Sequence, residues 1–414
     1  MAGTTGHRRR WLTRNLVVLT LVSLFQDTAS ELLYPLLPVL VTGVLAAPPV
    51  VLGVIEGVAE GTAGLARYVT GRWSDRAGRV RFIGAGYGLA AVGKVLVAAA
   101  GAWPTVLAGR TVDRLGKGVR SAPRDALIAA SVPSENLGRA FGFHRAGDTL
   151  GAVVGPLLGL LALSVMGGNL HAALWWAVVP AVLSAGLVVL VREHRAPAPA
   201  PARRGPAPAG PAPLPARPVA ASAAPSRPLP AAYWWVVGVL VVVALVNFSD
   251  TLLLLRVSEL GFGTTQVVLA YVLFNVVYAV GSYPAGALTD RWPRAYVYAV
   301  GLLAFAIGYV GLALVGKGPA VFVLLAVYGL FPALTDGVGK AWISSLVPAE
   351  HRGRAQGAFQ ALSSGAVLVA GLWAGLLWDA GRGRGTVPLL VSGAGAVIAV
   401  PVLAALRFRA RPRP

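Results

Sequence analysis

Long apolar segments alternate with short charged segments along almost the whole chain. Apolar runs of roughly 18 or more residues recur from end to end, and a run of that length spans the hydrocarbon core of a bilayer as one helix. The runs predict an all-α polytopic membrane protein with twelve transmembrane helices. The predicted helices 1 to 12 cover residues 15–42, 49–70, 82–101, 103–130, 139–166, 170–191, 233–258, 264–289, 295–315, 319–347, 355–378 and 386–408.

Residues 192–231 interrupt this alternation. Proline and alanine dominate the segment, and arginines are spaced through it. A segment of this composition cannot bury a core, so it is predicted to be an extended, largely disordered cytoplasmic linker. It divides the chain into an N-terminal six-helix bundle, residues 1–191, and a C-terminal six-helix bundle, residues 232–414.

The composition agrees with a membrane protein. Hydrophobic residues make up 56% of the chain and charged residues 13%, whereas soluble proteins are about 25% charged. The chain has no cysteine, its five histidines are scattered, and it has neither a glycine-rich phosphate loop nor a nucleophile-elbow motif. The sequence therefore predicts that the protein is not an enzyme and has no cofactor and no metal site.

The net charge of +20 would suit a nucleic-acid-binding protein, but its position along the chain favours another cause. Lysine and arginine concentrate in the tails, the linker and the loops after even-numbered helices, as the positive-inside rule expects for cytoplasmic segments. The pattern predicts a multi-pass protein of the plasma membrane with both termini in the cytoplasm. It also predicts that the protein has no nucleic-acid partner.

Two motifs occur twice, each time 215 positions apart. The loop at 71–76 matches the loop at 286–291, and the segment 132–140 matches the segment 347–355. Two separate motifs at one offset are hard to obtain by chance. The two bundles are therefore predicted to be parallel pseudo-repeats that start on the same side of the membrane.

These motifs resemble those of the major facilitator superfamily, and the resemblance covers the chain apart from its tails and linker. The loop after predicted helix 2 is similar to the signature loop of that family, and the loop after predicted helix 8 is a weaker copy. The resemblance implies a gating role for both loops. The residues that carry it are Gly71, Asp75, Arg76, Gly78 and Arg79 in the first loop and Gly286, Asp290, Arg291 and Arg294 in the second.

Two helices extend the resemblance. In predicted helix 4, Arg110 is similar to the buried arginine of the family pattern, although Asp113 and Arg114 depart from its commoner form. Predicted helix 5 resembles the motif associated with antiporters of the superfamily, with Leu160 in place of a second terminal glycine. The residues of that motif are Gly147, Gly151, Gly155, Pro156 and Gly159.

Asp75 and Asp290 lie at predicted helix ends on the cytoplasmic side. A carboxylate there can pair with an arginine and with the N-terminus of a neighbouring helix. Such a contact can hold one bundle against the other in one state and release it in the next. We therefore expect both carboxylates to act in gating.

Charged residues inside the predicted helices are the main candidates for a site. An unpaired charge at mid-bilayer costs about 2.5–3.5 kcal/mol on insertion scales, so these residues are expected to pair or to face a water-filled cavity. In predicted helix 4 the charges fall on one face. The candidates for proton coupling or substrate binding are Asp27, Glu31, Glu56, Glu60, Arg110, Asp113, Arg114, Lys117, Asp148, Asp250, Asp336 and Lys340.

Asp27 and Glu31 are four residues apart and therefore share one helix face. We expect this face to meet Arg110 and Arg114 across a cavity, in a network whose proton affinity changes with substrate. A static salt bridge to the arginines of predicted helix 4 is the alternative interpretation of the same residues.

The resemblance implies a fold of two six-helix bundles and a secondary active transporter that works by alternating access. The helix-5 motif and the acids of predicted helix 1 favour proton-coupled export of a small organic solute. Uptake or exchange of an organic anion on the helix-4 cations is one alternative, and a transport-like membrane receptor or assembly scaffold is another. The expected partners are the lipid bilayer, a small-molecule substrate and protons, and the protein is expected to be a monomer.

The predicted orientation can be tested at the linker. Protease added to intact cells should leave residues 192–231 uncut, because the segment is expected in the cytoplasm, whereas protease added to inverted vesicles should cut it. A blot against an N-terminal tag reports the cleavage. A fragment produced by protease outside intact cells would contradict the orientation.

Overall fold

The computed structural model describes residues 11–34, 36–37, 39–47, 49–193, 228–381 and 384–406. These ranges are helical and contain no β-strand. We refer to α1–α7 as the first half and to α8–α14 as the second half. The helices are α1 (Arg14–Leu33), α2 (Pro49–Ala77), α3 (Arg79–Ala98), α4 (Trp103–Ser131), α5 (Leu137–Val165), α6 (Leu170–Trp175), α7 (Val178–Leu187), α8 (Ala231–Ala244), α9 (Asp250–Glu259), α10 (Thr264–Thr289), α11 (Arg294–Leu314), α12 (Ala320–Ser345), α13 (Arg352–Leu376) and α14 (Thr386–Leu406).

The helices suit a membrane. Within the described ranges, nine helical segments are long and apolar enough to cross one. Two others, α2 and α4, are equally long but carry more charge, and the short helices α8 and α9 follow one another. With α6 and α7 counted as one span and α8 and α9 as another, the architecture is consistent with the twelve predicted spans.

The first predicted helix, 15–42, is not continuous. Helix α1 ends at Leu33, and a π-helical segment, Val39–Val44, follows it. The sequence contains Pro35 and Pro38 between them. Proline has no backbone N–H to continue the helical hydrogen bonds, which explains the early end.

The sixth and seventh predicted helices are also interrupted. The sixth, 170–191, divides into α6 and α7. The seventh, 233–258, is broken between α8 and α9. The break contains Asn247 and Ser249, whose residue types compete with the backbone for hydrogen bonds and so weaken a helix. As a result, Asp250 stands at the N-terminus of a helix in the middle of the span.

Most of the predicted linker and both basic tails lie outside the described residues, which exclude 1–10, 194–227 and 407–414. The predicted linker, 192–231, is described only at its two ends, and its second end already belongs to α8. The predicted linker and bundle boundaries therefore stay predictions.

The described start of the linker segment contacts the first half. Gly78 joins α2 to α3 with φ at 90°, a conformation that favours glycine. The Glu193 carboxylate accepts hydrogen bonds from the backbone nitrogens of Arg79 at 3.2 Å and Val80 at 2.9 Å. It thereby caps the N-terminus of α3, where negative charge is favoured.

The two halves touch through glycines. Gly71 on α2 faces Gly353 and Gly357 on α13, and a Cβ added at Gly71 would lie 2.8 Å from the Gly353 carbonyl oxygen. Backbones can approach this closely only without side chains between them. The matching contact between α10 and α5, offset by 215 positions, consists of Gly286, Gly138 and Gly142.

Asp75 joins α2 to the start of α13 in the other half. Its carboxylate accepts hydrogen bonds from the backbone nitrogens of Gly353 at 3.0 Å and Arg354 at 2.8 Å. Arg79 donates to the same carboxylate at 3.0 Å and to the carbonyl oxygen of Ala349 at 2.8 Å. The contact thus combines a helix N-terminal cap with an ion pair.

Asp290 makes the equivalent contact from the second half to the first. It accepts hydrogen bonds from the backbone nitrogens of Gly138 at 2.9 Å and Arg139 at 3.2 Å, at the start of α5. The Arg139 guanidinium also pairs with it at 3.4 Å. We call the Asp75 and Asp290 contacts together the latch, and the end of the molecule that carries them the latch end.

The other arginines of the two loops have different surroundings. Arg76 and Arg291 are exposed. Arg294 is half-buried and donates to the Ser345 hydroxyl at 3.1 Å. The carboxylates of the latch are therefore held by Arg79 and Arg139 and by backbone N–H groups, not by the arginine that follows each of them in sequence.

The latch can be tested with Asp75→Asn, Asp290→Asn and the double variant. Each change removes the charge from two hydrogen bonds at a helix N-terminus, so the halves should separate more often at the latch end. Ser74, which is 1% exposed, becomes a reporter as Ser74→Cys in this cysteine-free chain. Its alkylation by a maleimide should speed up about tenfold in each single variant, the equivalent of one charged hydrogen bond.

The control for this experiment is Asp379→Asn, because the Asp379 side chain is 80% exposed and lies far along the chain from either cap. Alkylation in the control should match the parent protein. Equal alkylation rates in the control and in the double latch variant would show that the two carboxylates do not hold the halves together.

Candidate functional site

A cavity of about 550 Å³ lies between the two halves. Its walls come from α1, α2, α4 and α5 in the first half and from helices α8 to α13 in the second. This volume suits a small organic molecule. The charged side chains that line it are Asp27, Glu31, Arg67, Lys117, Arg120, Arg124, Arg145, Asp148, Asp250, Asp336 and Lys340.

The structure brings seven of the twelve interior candidates to this cavity and leaves five elsewhere in the first half. Those in the cavity wall are Asp27, Glu31, Lys117, Asp148, Asp250, Asp336 and Lys340. Those away from it are Glu56, Glu60, Arg110, Asp113 and Arg114, on α2 and α4.

The candidates away from the cavity form ion pairs between α2, α3 and α4. Arg110 is 1% exposed and donates to the Glu56 carboxylate at 2.6 Å. Lys94, fully buried on α3, pairs with Asp113 at 2.8 Å. Arg110 also lies 3.6 Å from Asp113, which joins the two pairs. Each of these buried charges therefore has a partner, as burial in a membrane protein requires.

Among the described residues, no ion pair joins Asp27 or Glu31 to Arg110 or Arg114, although Glu31 is one of the charges that act on Arg114. The first turns of α4 pack against α2 and α3, so their charged side chains face those helices. Arg114 accordingly lies 3.7 Å from Glu60. Helix α1 instead contacts α4 further along, where Arg124 donates to the Ser23 hydroxyl at 2.9 Å.

A chain of contacts connects these ion pairs to the edge of the cavity. Glu60 pairs with Arg67 on the same helix at 3.3 Å. Arg67 lines the cavity and also donates to the hydroxyl of Ser364 on α13. Arg67 therefore connects the ion pairs between α2, α3 and α4 to the second half.

Two ion pairs join the halves on the latch side of the cavity. Lys340 on α12 pairs with Asp125 on α4 at 2.8 Å. Asp336, one turn earlier on α12, pairs with Arg145 on α5. Arg145 also pairs with Asp148 at 2.6 Å. These contacts form the floor of the cavity, between it and the latch.

Sequence reasoning did not select Asp125 or Arg145 as site residues. A signal was present, because Asp336 and Lys340 carry opposite charges at i,i+4 on one helix face. Such a pair inside a membrane calls for an acid and a base on the facing helices. Helix packing alone decides which acid pairs with Lys340 and which base pairs with Asp336.

Four charged groups on the first-half wall have no ion-pair partner among the described residues: those of Asp27, Glu31, Lys117 and Arg120. Arg120 is 3% exposed, and its guanidinium lies over the ring of Tyr87, with 4.5 Å to the centroid. One of its terminal nitrogens is buried without a hydrogen-bond partner. The charged groups that act on Asp27 are Asp148, Lys117, Arg120 and Glu31.

The glycines of α5 position the acids of α1. An added Cβ at Gly151 would lie 3.0 Å from the Cβ of Asp27, and one at Gly155 would lie 2.8 Å from the Cβ of Glu31. Gly147 and Gly159 contact α1 on either side, at Thr20 and Leu32, and Pro156 lies within α5. Side chains at these positions would push α1 and its carboxylates away from α5.

The second-half wall carries acids and aromatic rings. Glu31 reaches it from α1 and accepts a hydrogen bond from the Tyr271 hydroxyl at 3.2 Å. Asp250 accepts one from the Tyr328 hydroxyl at 2.6 Å. The charged groups that act on Asp250 are Asp336 and Glu31, both of them acids. Within the described residues, no group of histidines and acids is arranged to hold a metal ion.

Comparison with known proteins gives the family. The family model of the Major Facilitator Superfamily matches residues 19–268 and 251–414. An uncharacterised MFS-type transporter of Methanocaldococcus jannaschii is 28% identical over 376 residues, 89% of each chain. The class C tetracycline resistance protein of Escherichia coli is 27% identical over 340 residues, 76% of this chain and 79% of that protein.

A solved transporter structure shares the fold. The crystal structure of the human organic anion transporter MFSD10 (TETRAN) superposes with a TM-score of 0.73 and 18% identity, over 94% of this chain and 99% of that chain. The matched residues cover nearly the whole sequence, and the halves enclose a cavity of the size of a small solute. The chain therefore belongs to the Major Facilitator Superfamily, and it is a membrane transporter of small molecules and not an enzyme.

Proposed function

We propose that this transporter moves a small organic solute that carries an anionic group, together with a proton, by alternating access. One observation carries the proposal. On the first-half wall, the unpaired Asp27 carboxylate lies within electrostatic reach of two cations without ion-pair partners, Lys117 and Arg120. An arrangement of this kind leaves room for one proton and one anionic group.

The coupling follows from charge balance at these three residues. While Asp27 is ionised, it offsets part of the positive charge of Lys117 and Arg120. A proton on Asp27 removes that compensation, and the cations then favour an anionic group of the solute. Proton and solute therefore bind better together than separately, which is the condition for cotransport.

The state of the molecule fits one step of such a cycle. The latch and the floor ion pairs join the two halves at the latch end, which is how a closed gate would be held. If that end faces the cytoplasm, as the positive-inside rule predicts, this state receives its solute from outside. An inward proton gradient would then drive uptake, with release of the latch and the floor pairs opening the other side.

Export in exchange for protons is the second candidate. It is favoured by the α5 glycine motif, which packs against α1 beside Asp27 and Glu31. It is also favoured by the likeness to a tetracycline resistance protein. Here the site would hold either a proton or the solute, so that each displaces the other.

Proteoliposomes with trapped pyranine distinguish the two candidates. The probes are small carboxylates and organophosphates added outside, and the dye reports proton movement. Cotransport predicts acidification of the lumen when an accepted solute enters. Exchange predicts alkalinisation of the lumen with the same solute, because protons leave as it enters.

Asp27→Asn tests the coupling residue. The variant should lose solute-driven proton movement, since its side chain no longer binds a proton at this position. Its thermal stabilisation by the same solute should persist, because Lys117 and Arg120 are intact. Asp379→Asn is the matched control and should behave as the parent protein. Solute-driven proton movement at the parent rate in Asp27→Asn would remove Asp27 from the coupling mechanism.

A further inference from the structure

We infer that the solute is a zwitterion, with its anionic group at the cations of α4 and a protonated amine or quaternary ammonium at Glu31 and Asp250. This inference deepens the proposed function, on which it rests for the anionic group. The carrying observation is that two unpaired cations, Lys117 and Arg120, lie together on α4. The unpaired acids Glu31 and Asp250 lie where α1 meets α9 and α10 of the second half.

Once Asp27 holds the proton, as the proposed function requires, the cations of α4 lack a negatively charged partner. Arg120 is 3% exposed, yet one terminal nitrogen of its guanidinium has no hydrogen-bond partner. Lys117 lines the same cavity, and among the described residues its amine forms no ion pair. A buried cation without a partner is costly, so these cations call for a ligand that brings negative charge.

Within the described ranges, the side of the cavity where α1 meets the second half lacks cations. Glu31 on α1 and Asp250 on α9 repel one another, and among the described residues they accept hydrogen bonds from the hydroxyls of Tyr271 and Tyr328. Neither carboxylate forms an ion pair with a cation among the described residues. Asn247, at the break between α8 and α9, adds a buried side-chain oxygen without a donor.

Aromatic rings in the cavity wall also favour a ligand with a cationic group near Glu31 and Asp250. Tyr271, which donates to Glu31, and Tyr298 and Phe331 line the same cavity. Aromatic faces attract organic cations, and they also cover the apolar part of a ligand. A cationic amine near Glu31 and Asp250 would thus find both charge and aromatic contact.

Ligands with a single charge fit the cavity less well. A plain anion satisfies Lys117 and Arg120 but leaves Glu31 and Asp250 facing an uncharged or negative group. A plain cation satisfies the two acids but leaves the two bases without a partner. A zwitterion of amino-acid type supplies a partner to both the cations and the acids. A volume of about 550 Å³ accommodates an amino acid with its side chain, or a short peptide.

Thermal unfolding of the purified full-length protein in detergent tests this inference. The probes are free amino acids, dipeptides and betaines, and each amino acid and dipeptide is paired with its N-acetyl derivative and its methyl ester. The first derivative removes the positive charge and the second the negative charge. At least one zwitterion should raise the Tm, and its two derivatives should need about tenfold higher concentration for the same shift.

Charge-neutralising variants assign the two ends of the ligand. Asp250→Asn should reduce the discrimination against the N-acetyl derivative, because the acid that recognises the amine is gone. Lys117→Gln should reduce the discrimination against the methyl ester. Asp379→Asn and Lys317→Gln are matched controls away from the cavity, and both should discriminate as the parent protein does.

Three results would overturn the inference. Equal stabilisation by a zwitterion and its N-acetyl derivative would assign the site to plain anions, and equal stabilisation by the ester would assign it to plain cations. Stabilisation by no member of the panel would remove the zwitterion site. A zwitterion that binds with this discrimination but moves no protons would instead refute the proposed coupling and leave the inference standing.

Discussion

The cost of placing charge inside a membrane governs this structure. An unpaired charge at mid-bilayer costs about 2.5–3.5 kcal/mol on insertion scales. The helices of the first half contain many charged residues. Between α2, α3 and α4 the charges pair with one another, as in the buried contact of Lys94 with Asp113 at 2.8 Å. Around the cavity, Lys117, Arg120, Asp27, Glu31 and Asp250 have no ion-pair partner in the part of the chain that the structure describes. Pairing thus separates a supporting network from groups that are available for a ligand.

Pairing of charges with helix ends also holds the two halves together. At the latch end, Asp75 and Asp290 each cap a helix of the opposite half, where the backbone N–H groups are positive and otherwise unpaired. The caps require the helix ends to come close, and glycines at the contact allow it. Opening this end requires release of the caps and of the glycine contacts between α2 and α13 and between α5 and α10, all of which lie between the halves and not within the core of either.

Packing within the first half connects the gate region to the cavity. The glycines of α5 fix α1 so that Asp27 and Glu31 stand at the cavity wall. Helix α5 also begins at the Asp290 cap and carries Arg145, which pairs with Asp336 in the floor. A movement that releases the cap therefore shifts the helix against which the carboxylates of α1 are packed. This shared helix gives the charge state of the cavity a physical route to the latch.

The sequence by itself determined the helical membrane fold, the family and the repeat at an offset of 215 positions, because apolar length and local motifs are properties of the chain alone. It also identified seven of the cavity charges, since ionisable residues inside apolar helices are rare. It could not say that Asp75 meets Gly353 and Arg354 of the other half. Nor could it say that Arg110 turns to Glu56 instead of Asp27. Those partners depend on which helix faces which, and a helical period shows that a face is polar without showing what lies opposite. Only the tertiary structure decided, through helix packing, which charges are paired and which remain free for a solute.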